Sequence, residues 1–391
     1  MAAVDAGWAV IGIDNFAAKV AQINEGSSPV EDISDKQLQT AISSGAYKAT
    51  TDFSEVAQAS VITICVPTPL DSKREPDLTL LRSAATGIAP YVSNETLVVS
   101  ESTSYPGTLR DVIIPIINQL KREDARIVYF ASAPERVNPG DVIWNQKNTP
   151  RLVGAIDEKS QIRALAFYES ICDVIVGVSA PEVAEAAKLL ENTFRLVNIA
   201  LINEFTQLCS ANGINVNEVI NAASSKPYGY MPFRPGVGVG GHCIPVDPLY
   251  LAWWAKQNGG EAGIVEVADL INHEMPKYVA ERALSLVNQN IETPRVLILG
   301  VAYKPGVGDV RETPVSELRN YLKAKGAEVA WHDPFVSVWE GTNPVDLGWS
   351  YDVAILATKQ PGMNLEQLLE RDVPLLDCTN SLGAQESVSW L

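Results

Sequence analysis

The sequence predicts an α/β chain in three consecutive parts, residues 1–179, 180–292 and 293–391. Two observations carry that reading. Short apolar runs of strand length alternate with helical stretches through the first and third parts, the signature of parallel sheets covered on both faces. Between them lies one unbroken helical pattern of about 30 residues, which suits a spine. A chain of 391 residues with 46% hydrophobic and 20% charged content is long enough for two or three domains with full cores.

The first run is 8–14 (WAVIGID), and the series continues at 60–66 (SVITICV), 97–100, 127–131 and 151–155. It ends on Asp14, the place where an acid grips the ribose hydroxyls of NAD; a plain turn-forming Asp is the alternative. In a dinucleotide fold that acid follows a strand, a glycine loop and a helix by roughly 20 residues or more. Only 13 residues precede Asp14, and 1–7 read as the tail of that helix. The expectation is a Rossmann-like domain without its first strand and glycine loop, in an N-terminally truncated chain, or else a cofactor held some other way.

The spine helix is expected over 180–212, opened by Pro181 at the favoured first helical position and closed by Gly213. It is apolar on more than one side after Phe194, which fits a helix that joins two domains and also forms a dimer interface. Lys188 and Asn192, four apart, share one face. That face is either solvated or part of a site. The third part begins with the strand 295–301 (RVLILGV), then AYKPGVGDVRETP and a helix at 314–324, with strands at 328–331, 353–357 and 374–377. Lys304 and Arg311 thereby fall on a Gly-rich loop beside a helix start, good chemistry for phosphates.

Residues 236–250, GVGVGGHCIPVDPLY, hold the most reactive side chain of the sequence. Glycines keep the backbone open and prolines stiffen it on both sides, so Cys243 is presented on a rigid ledge. An inert cysteine in a tight glycine turn is the alternative. Gly236, Gly238 and Gly241 satisfy G-x-G-x-x-G literally, but the prolines upstream oppose a strand and those in HCIPVDP oppose a helix opening, so the glycines read as the frame of a nucleophile.

A formal charge of −17 argues against nucleic acid or an anionic membrane surface as partner. The five cysteines, at 65, 172, 209, 243 and 378, include no C-x-x-C, so no disulfide framework and no metal site is expected, and a reducing cytoplasm is. No stretch approaches the roughly 20 apolar residues of a membrane span, and no signal peptide is evident.

Six segments in order, TDFSEVAQASVITICVPTPLD, SESTSYPGT, SAPERVNPG, AEAAKLLENTFRLVNIALINE, GVGVGGHCIPVDPLYL and LILGVAYKPGVGDVRETP, resemble the nucleotide-sugar 6-dehydrogenases over nearly the whole chain. That family comprises UDP-glucose, UDP-N-acetylglucosamine, UDP-N-acetylmannosamine and GDP-mannose dehydrogenases. GGHCIPVDP, ESTSYPGT and SKPYGYMPF look most like the UDP-N-acetylhexosamine branch; UDP-glucose enzymes typically carry other residues for His242 and Val246.

The resemblance implies an N-terminal NAD-binding domain, a central helical dimerisation domain and a C-terminal UDP-binding domain. It also implies a four-electron oxidation of a sugar C6 alcohol to a carboxylate, with NAD as hydride acceptor and a homodimer formed through the 181–212 helix. Cys243 would carry the sugar as thiohemiacetal and then thioester, a task suited to a thiolate. Lys188 and Asn192 would serve the alkoxide oxygen, Asp247 and Thr103 would hold water, and Glu135 would drive thioester hydrolysis. Asp14, Pro67, Thr68, Thr103 and Arg311 would meet the cofactor, and Lys304, Gly240, His242 and Arg234 the UDP-sugar. This branch has Pro139 where UDP-glucose enzymes place a second Glu. Two departures stand out: the glycine loop is absent, and Thr379 stands where the family often has an Arg. A catalytically silent protein that binds a sugar nucleotide or merely dimerises is the competing reading, and UDP-glucose the alternative substrate.

Overall fold

The computed structural model describes residues 1–391 apart from 31, 139, 140, 142, 372 and 383–386. The chain divides into two compact units, Met1–Glu191 and Asn192–Leu391, and the division falls within the spine helix, Pro181–Ala211.

In the first unit the expected helical tail is the short helix Ala2–Asp5, and the indole of Trp8 donates to Ser170 Oγ at 2.9 Å while its ring meets Phe167 edge-on. Strand β1 (Val10–Ile13) pairs in parallel with β2 (Tyr47–Thr50), and the two form a sheet of their own. A second sheet runs β3 (Val61–Ile64), β4 (Thr96–Ser100), β5 (Val128–Ser132), β6 (Arg151–Ala155) and β7 (Ile175–Val178) in that spatial order. Every residue of β4 is buried, as its continuous apolar run requires of a strand covered on both faces.

The expectation of a purely parallel sheet needs correction: β5 and β6 are antiparallel. Parallel neighbours need a crossover, usually a helix. Among the described residues between Ser132 and Arg151 there is no helix, so the chain returns directly. The helix Glu158–Glu169, capped by the Asp157 carboxylate on Ser160 N–H at 2.8 Å, then supplies the crossover that makes β6 and β7 parallel.

In the second unit the spine helix ends at Ala211 and Gly213, at φ +68°, turns the chain away. Helices Val216–Ala223, Asp247–Gln257 and Gly263–Ser285 follow. A parallel sheet is built from β8 (Arg295–Leu299), β9 (Glu328–His332), β10 (Val353–Leu356), β11 (Leu375–Asp377) and β12 (Val388–Trp390), ordered β12-β11-β10-β8-β9. The chain leaves β8 toward β9 on one side and returns to β10 on the other. That reversal opens a crevice at the carboxyl ends of β8 and β10, where open α/β sheets bind ligands. Gly300 stands at this point, at φ +79°, and a Cβ there would lie 1.9 Å from the Thr358 carbonyl oxygen.

Candidate active site

The thiol is framed by glycines for a steric reason. A Cβ on Gly240 would come within 2.8 Å of the Glu312 carbonyl oxygen and of Tyr303 Cβ, and one on Gly241 within 2.9 Å of the Tyr303 ring. The loop therefore lies directly against 303–314, and Cys243 remains exposed while Cys172, Cys209 and Cys378 are buried. One expectation fails here. A helix does open after the thiol, at Asp247 with Pro248 in its first turn, and the Cys243 carbonyl accepts the Asp247 N–H at 2.9 Å. Proline opposes a helix interior, but its fixed φ and missing N–H suit the first turn.

Asp247 and Asn192, both buried, meet: Asn192 Nδ2 donates to Asp247 Oδ2 at 2.6 Å. Two other expected ligand residues are engaged locally. Arg311 forks onto Asp309 at 2.8 and 2.6 Å, and Arg234 bonds Asn217 and Asn221. Burial, aided by Arg311, pushes the His242 imidazole below its usual range and favours the neutral ring.

The crevice of the second unit is a cleft of about 380 Å³ whose walls include Lys304, Lys359, Thr379, Ser381, Gly236 and Pro314. Its floor is rigid. Buried Asp333 accepts the Val301 and Ala302 N–H groups at 2.9 and 3.2 Å, Gln360 takes the Gly306 N–H at 2.8 Å, and Thr358 donates to the Ala302 carbonyl at 2.8 Å. Helix Val315–Ala324 starts at this wall, after Pro314. Two lysines and a helix start make a cleft for an anionic group. Thr379 Oγ1 lies 2.7 Å from both Asp377 Oδ1 and Ser381 Oγ. Lys359 and Ser381 were absent from the sequence-derived set, although Lys359 follows its strand much as Lys304 follows β8.

In the first unit Thr68 and Thr103 come together, Thr68 Oγ1 donating to the Thr103 carbonyl at 2.7 Å, with Pro67 preceding. Glu135 is surrounded by partners: Oε1 accepts the Arg136 and Val137 N–H groups at 2.6 and 2.8 Å, and Oε2 forms an ion pair with Arg151 at 3.0 Å. Pro139 lies outside the described residues. Lys188 is buried on the spine helix. One turn before it, buried Glu185 accepts the Gly107 and Leu109 N–H groups at 2.7 and 3.1 Å, and burial pushes its carboxyl up to about 8. Sequence reasoning missed Glu185, Glu101, Arg151 and Tyr168, whose partners are all distant in the chain.

Asp14 follows β1 with its carboxylate 31% exposed, accepting the Phe16 N–H at 2.9 Å and pairing with Lys19 at 2.7 Å. An acid at the carboxyl end of a parallel strand fits the ribose diol of NAD. No glycine-rich loop opening a helix for its pyrophosphate lies among the described residues of this unit. Also among the described residues, no cluster of three or more His, Cys, Asp or Glu could hold a metal, and no helix is long and apolar enough to cross a membrane.

Three profiles of known domains match in succession: an NAD binding domain over residues 1–172, a central domain over 182–274 and a UDP binding domain over 297–370. An NAD-dependent dehydrogenase of nucleotide sugars is the class they define. All three belong to the UDP-glucose/GDP-mannose dehydrogenase family, and this chain is a member of it. A UDP-N-acetyl-D-mannosamine dehydrogenase of Methanocaldococcus jannaschii is 36% identical over 84% of this chain and 74% of the relative. A UDP-N-acetyl-D-glucosamine 6-dehydrogenase of Pseudomonas aeruginosa is 31% identical over 89% and 84%. The solved structure of a UDP-D-ManNAc dehydrogenase from Pyrococcus horikoshii superposes with a TM-score of 0.88 at 31% identity, covering 100% of this chain and 94% of that one.

Proposed function

We propose that the chain oxidises the C6 hydroxyl of a UDP-N-acetylhexosamine, UDP-ManNAc or UDP-GlcNAc, to the carboxylate through a covalent adduct on Cys243. The observation that carries this reading is the exposed Cys243 thiol, set by glycines one turn ahead of a helix that begins at buried Asp247, itself bonded by Asn192 of the spine helix. The names of the relatives support a hexosamine. Two molecules of NAD, bound in succession, would each accept one hydride, and Asp14 would hold the ribose of each in turn.

The residues divide the remaining work. Cys243 adds as thiolate to the C6 aldehyde left by the first oxidation, forming a thiohemiacetal whose second oxidation leaves a thioester. Lys188 supplies a cation, and Asn192 the second N–H of an amide already anchored on Asp247, to the oxygen that carries developing charge. Water then adds to the thioester carbonyl with its proton passing to Glu135. The C–S bond breaks, and the thiolate and the sugar acid are released. Asp247 and Thr103 would orient that water, and the Lys304–Lys359 cleft would hold the diphosphate.

Cys243→Ser tests the reading. A serine alkoxide is harder to generate at neutral pH, so the variant should form no uronic acid from either UDP-hexosamine, as read by mass spectrometry of the sugar nucleotide. Wild-type acid formation by this variant would sink the covalent route.

A further inference from the structure

The charged cluster beneath Glu135 takes no part in the chemistry described above. Arg151, the first residue of β6, has a side chain only 4% exposed, and its guanidinium meets four acceptors. One terminal nitrogen reaches the carbonyls of Ala133 and Pro134 at 3.3 and 3.2 Å; the other reaches Glu101 Oε2 at 3.3 Å and Glu135 Oε2 at 3.0 Å. The Arg151 guanidinium carbon lies 5.2 Å from the centroid of the Tyr168 ring, and the Tyr168 hydroxyl donates to Glu101 Oε1 at 2.5 Å. Residues just past β4 and β5, the start of β6 and a helix thus converge on one cation.

Such a cluster is poor value as mere packing. Buried ion pairs are often no more stable than apolar side chains of the same volume, because both charges lose their water. Its geometry does achieve one thing for Glu135. A carboxylate has about four acceptor positions. Two backbone N–H groups occupy Oε1 and Arg151 occupies part of Oε2, which leaves one position on a side chain that is still 42% exposed. Arg151 also grips the two carbonyls that precede Glu135, so main chain and side chain are held together.

We propose that Arg151, itself held by Glu101 and Tyr168, is a positioning residue that fixes the Glu135 carboxyl with one outward acceptor position for the water that hydrolyses the thioester. The inference rests on the role given to Glu135 under the proposed function. In the step itself, water oxygen bonds to the thioester carbon, one water proton passes to Glu135, and the carbon–sulfur bond breaks to release the Cys243 thiolate. Arg151 exchanges no proton.

Rapid quench of the full-length enzyme turning over with UDP-hexosamine and NAD, followed by intact-protein mass spectrometry, reads the acyl adduct on Cys243. Arg151→Met is expected to accumulate that adduct and to slow turnover by about 10², the scale of a lost acid–base contribution, with kcat/KM for the UDP-hexosamine changed by less than about threefold, because hydrolysis follows the two oxidations. Arg151→Lys keeps the charge without the fork and should recover part of the rate. Should Arg151→Met not fold, Tyr168→Phe, which removes one hydrogen bond from Glu101, should show the same adduct to a smaller extent. Glu135→Gln separates the two readings. An adduct in Glu135→Gln but not in the Arg151 variants overturns the positioning role; no adduct in Glu135→Gln overturns the role of Glu135 and this inference with it. Variants that lose melting temperature and slow every step equally, without adduct, would make Arg151 a structural ion only.

Discussion

Lys188 and Lys304 are cations with opposite expected signatures. Lys188 is buried on a rigid helix, where a donor aimed at a developing alkoxide acts mainly in the transition state. Lys188→Ala is therefore expected to cut kcat by about 10² to 10³ with little change in KM, checked by steady-state kinetics. A change confined to KM would place Lys188 among the groups that bind substrate. Lys304 lines the second unit's cleft, with its ammonium 5.7 Å from the centre of the Tyr303 ring. Lys304→Ala should chiefly weaken UDP binding, by a factor that grows as ionic strength falls, because salt screens a charge in a cleft open to solvent. Calorimetric titration of UDP at two salt concentrations decides it, and unchanged affinity removes the residue from the diphosphate site.

The spine helix and the turn after β4 are joined by a carboxylate that burial works against. Burial pushes the Glu185 carboxyl up to about 8 from its ordinary 4.5, outweighing the two backbone N–H groups it accepts, with Glu182 and Asp111 adding repulsion. The sign follows from the proton. An acid whose folded value is raised contributes its stability while protonated, in full below about 4.5, and loses it as pH rises toward 8. At about 1.4 kcal/mol per unit, the loss amounts to about 5 kcal/mol at most. Glu185→Gln keeps an acceptor for one of the two N–H groups and removes the titration. Its melting temperature relative to that of the parent should rise steadily from pH 5 to pH 8, in parallel thermal scans. A constant difference would show that Glu185 does not titrate in that range.

For the whole molecule, the second unit presents an apolar face that a soluble monomer has little reason to keep. Phe194, Leu201, Phe205 and Leu208 lie seven, four and three residues apart, one stripe of the spine helix, with Leu201 57% and Leu208 59% exposed. Ile264, Val267 and Leu270 on helix Gly263–Ser285 are exposed as well. We propose a second copy of this chain as the cover, since large contiguous apolar patches mark association sites and symmetric pairs are the commonest solution. Leu201→Glu should shift the protein to monomer in sedimentation velocity at micromolar concentration. Should the parent itself sediment as a monomer, the patch serves another purpose.

The sequence by itself determined the alternation of strands and helices and the 31-residue spine, and it singled out Cys243 as the candidate nucleophile, because each rests on local pattern: apolar period, proline and glycine at helix ends, a glycine frame around one Cys. The strands it left out are β2, β7 and β12, whose sequences YKAT, IVGV and VSW are short and half-exposed, so that pairing with a neighbour decides them. The antiparallel return of β6 and the helix that opens on Pro248 were likewise settled by where the chain had room to go. Residue types pointed to Glu135, Asn192 and Asp247, but not to their company. Arg151 stands 16 residues from Glu135 and 50 from Glu101, and Glu185 stands 78 from the Gly107 N–H it accepts. No periodicity spans such separations; a buried charge finds its partners only when distant segments fold onto one another and water is gone.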